Sequence, residues 1–275
     1  MTGELADARA QDPRSGSSSH DPARTGARAA SGDHAWFVRR PGPARPFRLY
    51  CFAYAGGNAS AFMGWQDALP AHVEVCGVQL PGRGARFGEP PFRQMAALVD
   101  ALAPVLQRSV DRPFALLGHS LGALVAFEVA RRLAAGGTAR PAHLYVSGCH
   151  APRFRDPSKD YHLLDDDKLV AVLRDYNGTP PEVLADRELV AMLLPSIRAD
   201  FELAETYRYQ PAATLDIPVT AWAGRDEARS SSDQVSGWGL ETTGPFEQAW
   251  FDGGHFFIHE QRPRVLAQLA SSLSR

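Results

Sequence analysis

The sequence predicts an α/β protein with a mainly parallel central sheet, helices on both faces and a helical lid inserted at one edge. Three patterns carry that expectation. Short apolar runs alternate with helical runs from Pro46 to Ser147 and again from Ile217 to Leu273, the order that builds parallel strands joined by crossover helices. The alternation fails between about Cys149 and Pro211, where helical runs follow one another without a strand. Between an apolar run, Phe114–Leu117, and a helical run, Ala123–Ala135, lies Gly118-His119-Ser120-Leu121-Gly122. G-x-S-x-G is common by chance and acquires meaning only with a strand before it and a helix after it.

The elements follow in order. Residues 1–33 are Ala, Arg, Ser, Gly and Asp with almost no large apolar side chain. Such a segment cannot bury enough surface to offset its ordering entropy, and a disordered tail is expected. Order begins near Trp36. Pro46–Phe52 reads as a strand running into the small-residue loop Ala53–Ser60. A helix over 60–69 follows and stops at Pro70. Val73–Leu80 is the next strand, ending at Pro81-Gly82-Arg83. The helix over 93–109 contains Pro104, a potential kink. After the Ser120 strand and helix comes a strand over His143–Ser147.

The segment from about 150 to 211 reads as a lid, with helices at Asp165–Tyr176 and Asp186–Tyr209, the second interrupted or bent at Pro195. Its apolar and aromatic residues, Met192 and Phe201 among them, exceed what one surface layer needs and suit the lining of an acyl pocket. Strands resume at Ile217–Ala223 and Phe246–Phe251, and Pro263–Leu273 closes the chain as a helix.

Composition narrows the function. The chain has 275 residues, 44% hydrophobic and 22% charged, with net charge −2. No basic stripe points to nucleic acid, and no apolar run reaches the ~18 residues of a membrane helix. Three scattered cysteines, each in an apolar run, read as small buried hydrophobes in a reducing, cytoplasmic setting.

A serine hydroxyl needs a base to take its proton, and the base needs an orienting acid. Ser120, at the strand tip, is the candidate nucleophile. His255, in the loop after the last strand, is the candidate base. The candidate acid is Asp226, directly after the Ile217–Ala223 strand. Asp252 is its rival but lies close in sequence to His255, and Glu227 and Asp233 are lesser options. Leu121 N–H, next after the nucleophile, and Ala55 N–H, in the first strand–helix loop, are the candidate oxyanion donors. His255 and His259 are spaced i, i+4, but they lack the H-E-x-x-H pattern, and no metal or other cofactor is expected.

The segments Phe52–Ser60, Gln79–Pro90, Gly118–Ala123 and Leu194–Phe201 with Glu205-Thr206-Tyr207 resemble the type II thioesterases, the free-standing editing hydrolases of polyketide and nonribosomal peptide assembly lines. The resemblance runs from about Trp36 to the C-terminus. It implies one α/β-hydrolase domain over 34–275 with a helical lid. It also implies hydrolysis of acyl thioesters on the phosphopantetheine arm of acyl or peptidyl carrier proteins, with Ser120, Asp226 and His255 at the triad positions; a monomer is expected. Tyr54 departs from the His common there, and Gly84-Ala85 replaces common acidic residues. Two other functions remain in view: an esterase or lipase on free esters, and a catalytically silent carrier-binding module.

Overall fold

A computed structural model describes residues 32–137, 139–155, 159–227 and 231–274. The expected tail lies outside the described residues up to position 31. Asp33, its last residue, accepts hydrogen bonds from the Arg108 guanidinium at 2.8 and 3.0 Å.

The described residues form a seven-stranded sheet in the order β1-β3-β2-β4-β5-β6-β7. The strands are β1 (Phe37–Arg39), β2 (Phe47–Phe52), β3 (Val73–Val78), β4 (Phe114–His119), β5 (Leu144–Ser147), β6 (Val219–Gly224) and β7 (Phe246–Phe251). Only β1 runs antiparallel, and it caps the β3 edge. The inner strands read as unbroken apolar runs because both faces are covered. Their side chains alternate between two cores. Tyr50, Phe52, Leu116, Val146 and Ala221 enter one, under helices α1 (Met95–Ser109) and α2 (Leu121–Gly136). Leu49, Cys51, Leu117, Tyr145 and Trp222 enter the other, under the 59–65 turn and the C-terminal helix.

One boundary differs from expectation for a local reason. Ala59–Trp65 is a 3-10 helix, not an α-helix over 60–69. Its three-residue repeat eclipses Phe62 and Trp65, and their rings meet edge to face at 5.0 Å in the second core. Asn58 starts it by accepting from Ser60 N–H at 2.8 Å. Pro195 lies inside a helix that continues past it, Arg187–Thr206.

The lid comprises α3 (Asp166–Tyr176), α4 (Pro181–Ala185) and α5 (Arg187–Thr206). Asp165 caps α3 by accepting from Lys168 N–H, and Asp186 caps α5 by accepting from Glu188 and Leu189 N–H. Asn177 ends α3 in the left-handed region at φ 55°. Leu169, Leu173, Leu184, Leu194, Ile197 and Phe201 give the lid a small core of its own. Helices α6 (Ser232–Ser236), α7 (Phe257–Glu260) and α8 (Arg262–Leu273) complete the chain. Among the described residues, no helix is long and apolar enough to cross a membrane.

Candidate active site

Ser120 follows β4 and precedes α2 with φ 56° and ψ −118°, a backbone state that a non-glycine residue holds only when its surroundings impose it. The surroundings here are backbone. A Cβ on Gly118 would lie 2.1 Å from Gly122 O, and one on Gly122 would lie 2.1 Å from Phe52 O. Only glycine permits these approaches. Ser120 N–H donates to Ser147 O at 2.8 Å, and Ser120 O accepts from Ala123 N–H at 3.0 Å. The serine is thereby tied to the β5 edge on one side and to the first turn of α2 on the other. Leu121 N–H is the first amide of that turn, has no intrahelical acceptor and lies at the positive end of the helix dipole. The contact of Gly122 with Phe52 O brings the end of β2, and hence the Ala53–Gly57 loop with Ala55, against the serine turn.

His255 follows β7, as the sequence places it. Its Nδ1 lies 2.7 Å from Glu227 Oε1, with side-chain exposures of 10% and 8%. This corrects the acid. Asp226 does not reach the ring. Its N–H donates to Gly253 O at 3.0 Å, and its carboxylate accepts from Gly253 N–H at 3.2 Å. Both ends of Asp226 thus clamp the loop that carries His255. The cause lies in the turn after β6. A Cβ on Gly224 would sit 2.3 Å from Gly254 O, so the two loops interlock at that point. Counting from there, residue 226 faces the backbone of the partner loop and residue 227, one methylene longer, turns to the imidazole. Asp252 is exposed and pairs with Arg264 and Arg225.

An aromatic cluster frames His255. His119, fully buried, packs its ring 5.2 Å from His255. Its Nδ1 lies 2.9 Å from Ser147 Oγ, so it points into the sheet. Burial pushes its pKa well below the ordinary value, and the charges of the neighbouring His255 and His259 act in the same direction, against a backbone hydrogen bond with His255 that opposes them. It is a packing element beside Ser120. His259 Nε2 meets Tyr54 Oη at 3.1 Å, so a hydroxyl aromatic can occupy position 54 with a partner of its own. The lid closes over this cluster through Tyr176, whose ring stands edge-on to His255 at 5.4 Å. Gly178 supports the same contact, since a Cβ there would lie 2.1 Å from the Phe256 ring.

The two lid residues expected to line the acyl pocket separate. Phe201 is buried in the lid core, 5.8 Å from Tyr161 and 6.1 Å from Tyr176, one ring removed from His255. Met192 is 53% exposed on the outer face of α5, which corrects its assignment. Both lie on one helix, but the inward stripe runs through Leu194, Ile197 and Phe201. Tyr176, which the sequence reading did not single out, is the lid side chain nearest the base among these. A groove of about 910 Å³ lies elsewhere, on the flank formed by α1, α2 and residues 206–216. It holds none of the residues described here.

The same stripe of α5 carries Asp200, fully buried and one turn beyond Ile197. It takes both Nη groups of Arg83 at 2.6 and 2.7 Å and Gly56 N–H at 2.7 Å. The sequence signal was available: a carboxylate at an apolar periodic position of a lid helix.

Sheet order, the strained serine after the fourth strand and the placement of the lid are those of an α/β-hydrolase. Within that class one family accounts for the chain: it belongs to the thioesterase domain family, matched over residues 47–273. It is 38% identical to the gramicidin S biosynthesis protein GrsT of Aneurinibacillus migulanus, over 86% of this chain and 93% of that one. It is also 38% identical to the thioesterase PikA5 of Streptomyces venezuelae, over 88% and 86%. Among solved structures, the type II thioesterase BorB of the borrelidin biosynthetic cluster superposes with a TM-score of 0.80 at 39% identity, covering 86% of this chain and 97% of that one. The RedJ thioesterase of the prodiginine pathway in Streptomyces coelicolor gives 0.78 at 39%, covering 88% and 94%.

Proposed function

We propose that this enzyme hydrolyses acyl thioesters held on the phosphopantetheine arm of acyl or peptidyl carrier proteins, clearing an assembly line of stalled acyl groups. The observation that carries the reading is the Glu227–His255 pair, whose imidazole packs 5.2 Å from the ring of His119 next to the strained Ser120, under a lid whose Tyr176 meets His255 edge-on. The relatives named as type II thioesterases and as antibiotic-biosynthesis proteins supply the substrate class.

In the proposed reaction, Glu227 accepts from His255 Nδ1–H and fixes the tautomer that leaves Nε2 as the base. Ser120 Oγ attacks the thioester carbonyl carbon while Nε2 takes its proton. The carbonyl oxygen becomes an oxyanion held by Leu121 and Ala55 N–H. The C–S bond breaks, and the imidazolium returns its proton to the departing thiolate. Water then loses a proton to Nε2 and attacks the acyl ester, the serine leaves with that proton, and the free acid departs. Asp226 acts at one remove, by clamping Gly253 and hence the loop of the base.

The test is a comparison of rates on acyl-carrier proteins of graded chain length with rates on simple esters of the same acids. The proposal expects acyl-carrier turnover to exceed ester turnover by at least tenfold in kcat/KM. Preference for the free ester would instead assign an esterase, and turnover of neither, with Ser120 unlabelled by a fluorophosphonate, would assign a binding module.

A further inference from the structure

The oxyanion loop is held from the lid. Residues 54–57 form a tight turn in which Tyr54 O accepts from Gly57 N–H at 2.9 Å. Gly56, the third residue, has φ 75°, as a turn with glycine at that position requires. A trans peptide points its carbonyl and its N–H in opposite directions. The Tyr54 carbonyl faces into the turn, so the Ala55 N–H on the same peptide faces out of it. The direction of that donor is therefore set by whatever fixes the turn.

Two charged side chains fix it. Asp200 accepts from Gly56 N–H, and Arg83 Nη1 donates to Gly57 O at 3.1 Å while both its Nη groups hold Asp200. The side-chain exposures are 7% for Arg83 and 1% for Asp200. Buried charges persist where each is paired and hydrogen-bonded, and this pair is saturated by the turn. Its neutrality also matters for catalysis. A lone carboxylate this close to the loop would oppose the negative charge that develops on the substrate oxygen; the bidentate guanidinium cancels it. Ile197, one turn earlier on α5, would stand 3.1 Å from a Cβ on Gly56, so the helix also seats on the turn by packing.

We propose that Asp200 is a positioning residue that couples the lid to the oxyanion hole. Together with Arg83 it orients the Ala55 donor, and the hole is complete only when α5 is seated. This inference rests on the reading of Ala55 N–H as an oxyanion donor, and it adds a lid-dependent step to that reading: an unseated lid leaves the serine in place but disarms the hole.

Asp200→Asn has one amide oxygen for the three hydrogens that the carboxylate now accepts. It is expected to lower kcat about 100-fold, the scale of losing one oxyanion donor, with KM changed less than threefold. Affinity for a trifluoromethyl ketone, which forms a tetrahedral adduct, should fall in parallel, while a non-reactive thioether analogue binds as before. Arg83→Lys, which keeps charge without the fork, should lose about tenfold by the same pattern. Wild-type Ser120 is first labelled with a fluorophosphonate. Failure to label overturns the active-site reading itself. Successful labelling with Asp200→Asn turning over within threefold of wild type overturns only the coupling. A loss shared equally by the ketone and the thioether also overturns it, as a general collapse of the pocket. Should Asp200→Asn not fold, Arg83→Lys is judged by the same ratio. Hydrogen exchange on the wild type provides an arm free of variants: amides of residues 54–58 should exchange in step with those of 187–206. Protection of the turn that outlasts the lid would refute the coupling.

Discussion

Replacing Glu227 by Gln separates the acid that the structure places at His255 from the aspartate beside it. The 2.7 Å contact is between groups that are each about nine-tenths buried. When His255 becomes an imidazolium, a carboxylate at that distance stabilises it by about 6 kcal/mol at an effective dielectric of ~20. The amide keeps the volume but gives up the charge, and it can turn its NH₂ toward Nδ1, favouring the tautomer with a proton on Nε2. The Coulomb figure is a ceiling, because an amide oxygen still offers a dipole. Loss of about 10³–10⁴ in kcat is expected, roughly 4–5.5 kcal/mol in the barrier. Glu227→Asp withdraws the carboxylate by about one bond, ~1.5 Å, and should fall between Gln and wild type. Asp226→Asn retains an acceptor for Gly253 N–H and should stay within tenfold. The assay is steady-state hydrolysis of an acyl-N-acetylcysteamine thioester, with circular dichroism to establish folding. A near-normal Glu227→Gln beside a crippled, folded Asp226→Asn would refute the assignment and restore the aspartate.

The remaining predictions concern nucleophile, lid and acid stability. Ser120→Ala should keep the melting temperature within a few degrees and lose at least 10³ in turnover; activity within tenfold of wild type would exclude it as nucleophile. Met192→Trp, on the outer face of the lid, should leave the chain-length profile unchanged, whereas Tyr176→Ala, beside the base, should alter it. The opposite pattern in a chain-length series would overturn the description of the lid. Burial brings His143 down to about 4, below the ~6.5 of an unfolded chain. The unfolded state then binds a proton that the folded state refuses, so stability is complete above pH 6.5 and declines as pH falls toward 4, by up to about 3 kcal/mol. His119, likewise lowered, adds to the same slope. Urea unfolding of His143→Phe between pH 7 and 4 should show a slope smaller by up to one proton; an unchanged slope would show that His143 titrates normally.

The serine turn was legible in the sequence because it is made by neighbours. Two glycines, a strand before and a helix after impose it within a few residues, and the pattern repeats in no other segment. The parallel sheet was legible for a related reason, since strands buried on both faces must be apolar throughout. His255 followed from its place after the last strand. Other features depend on contacts across the chain. Asp226 and Glu227 are adjacent in one turn, both acidic, and nothing local decides which faces the imidazole; the closure of Gly224 on Gly254 does. Met192 and Phe201 share one helix, and periodicity groups them without stating which face meets the sheet. The Arg83–Asp200 pair joins residues 117 apart in sequence. The sequence by itself determined the fold class, the strained turn at Ser120 and the place of His255 after the last strand, whose geometry arises from short-range sterics and strand order. Only the tertiary structure decided which carboxylate meets His255, the inward face of the lid and the anchor of the 54–57 turn. Each of those depends on which side chain a distant backbone segment leaves room for.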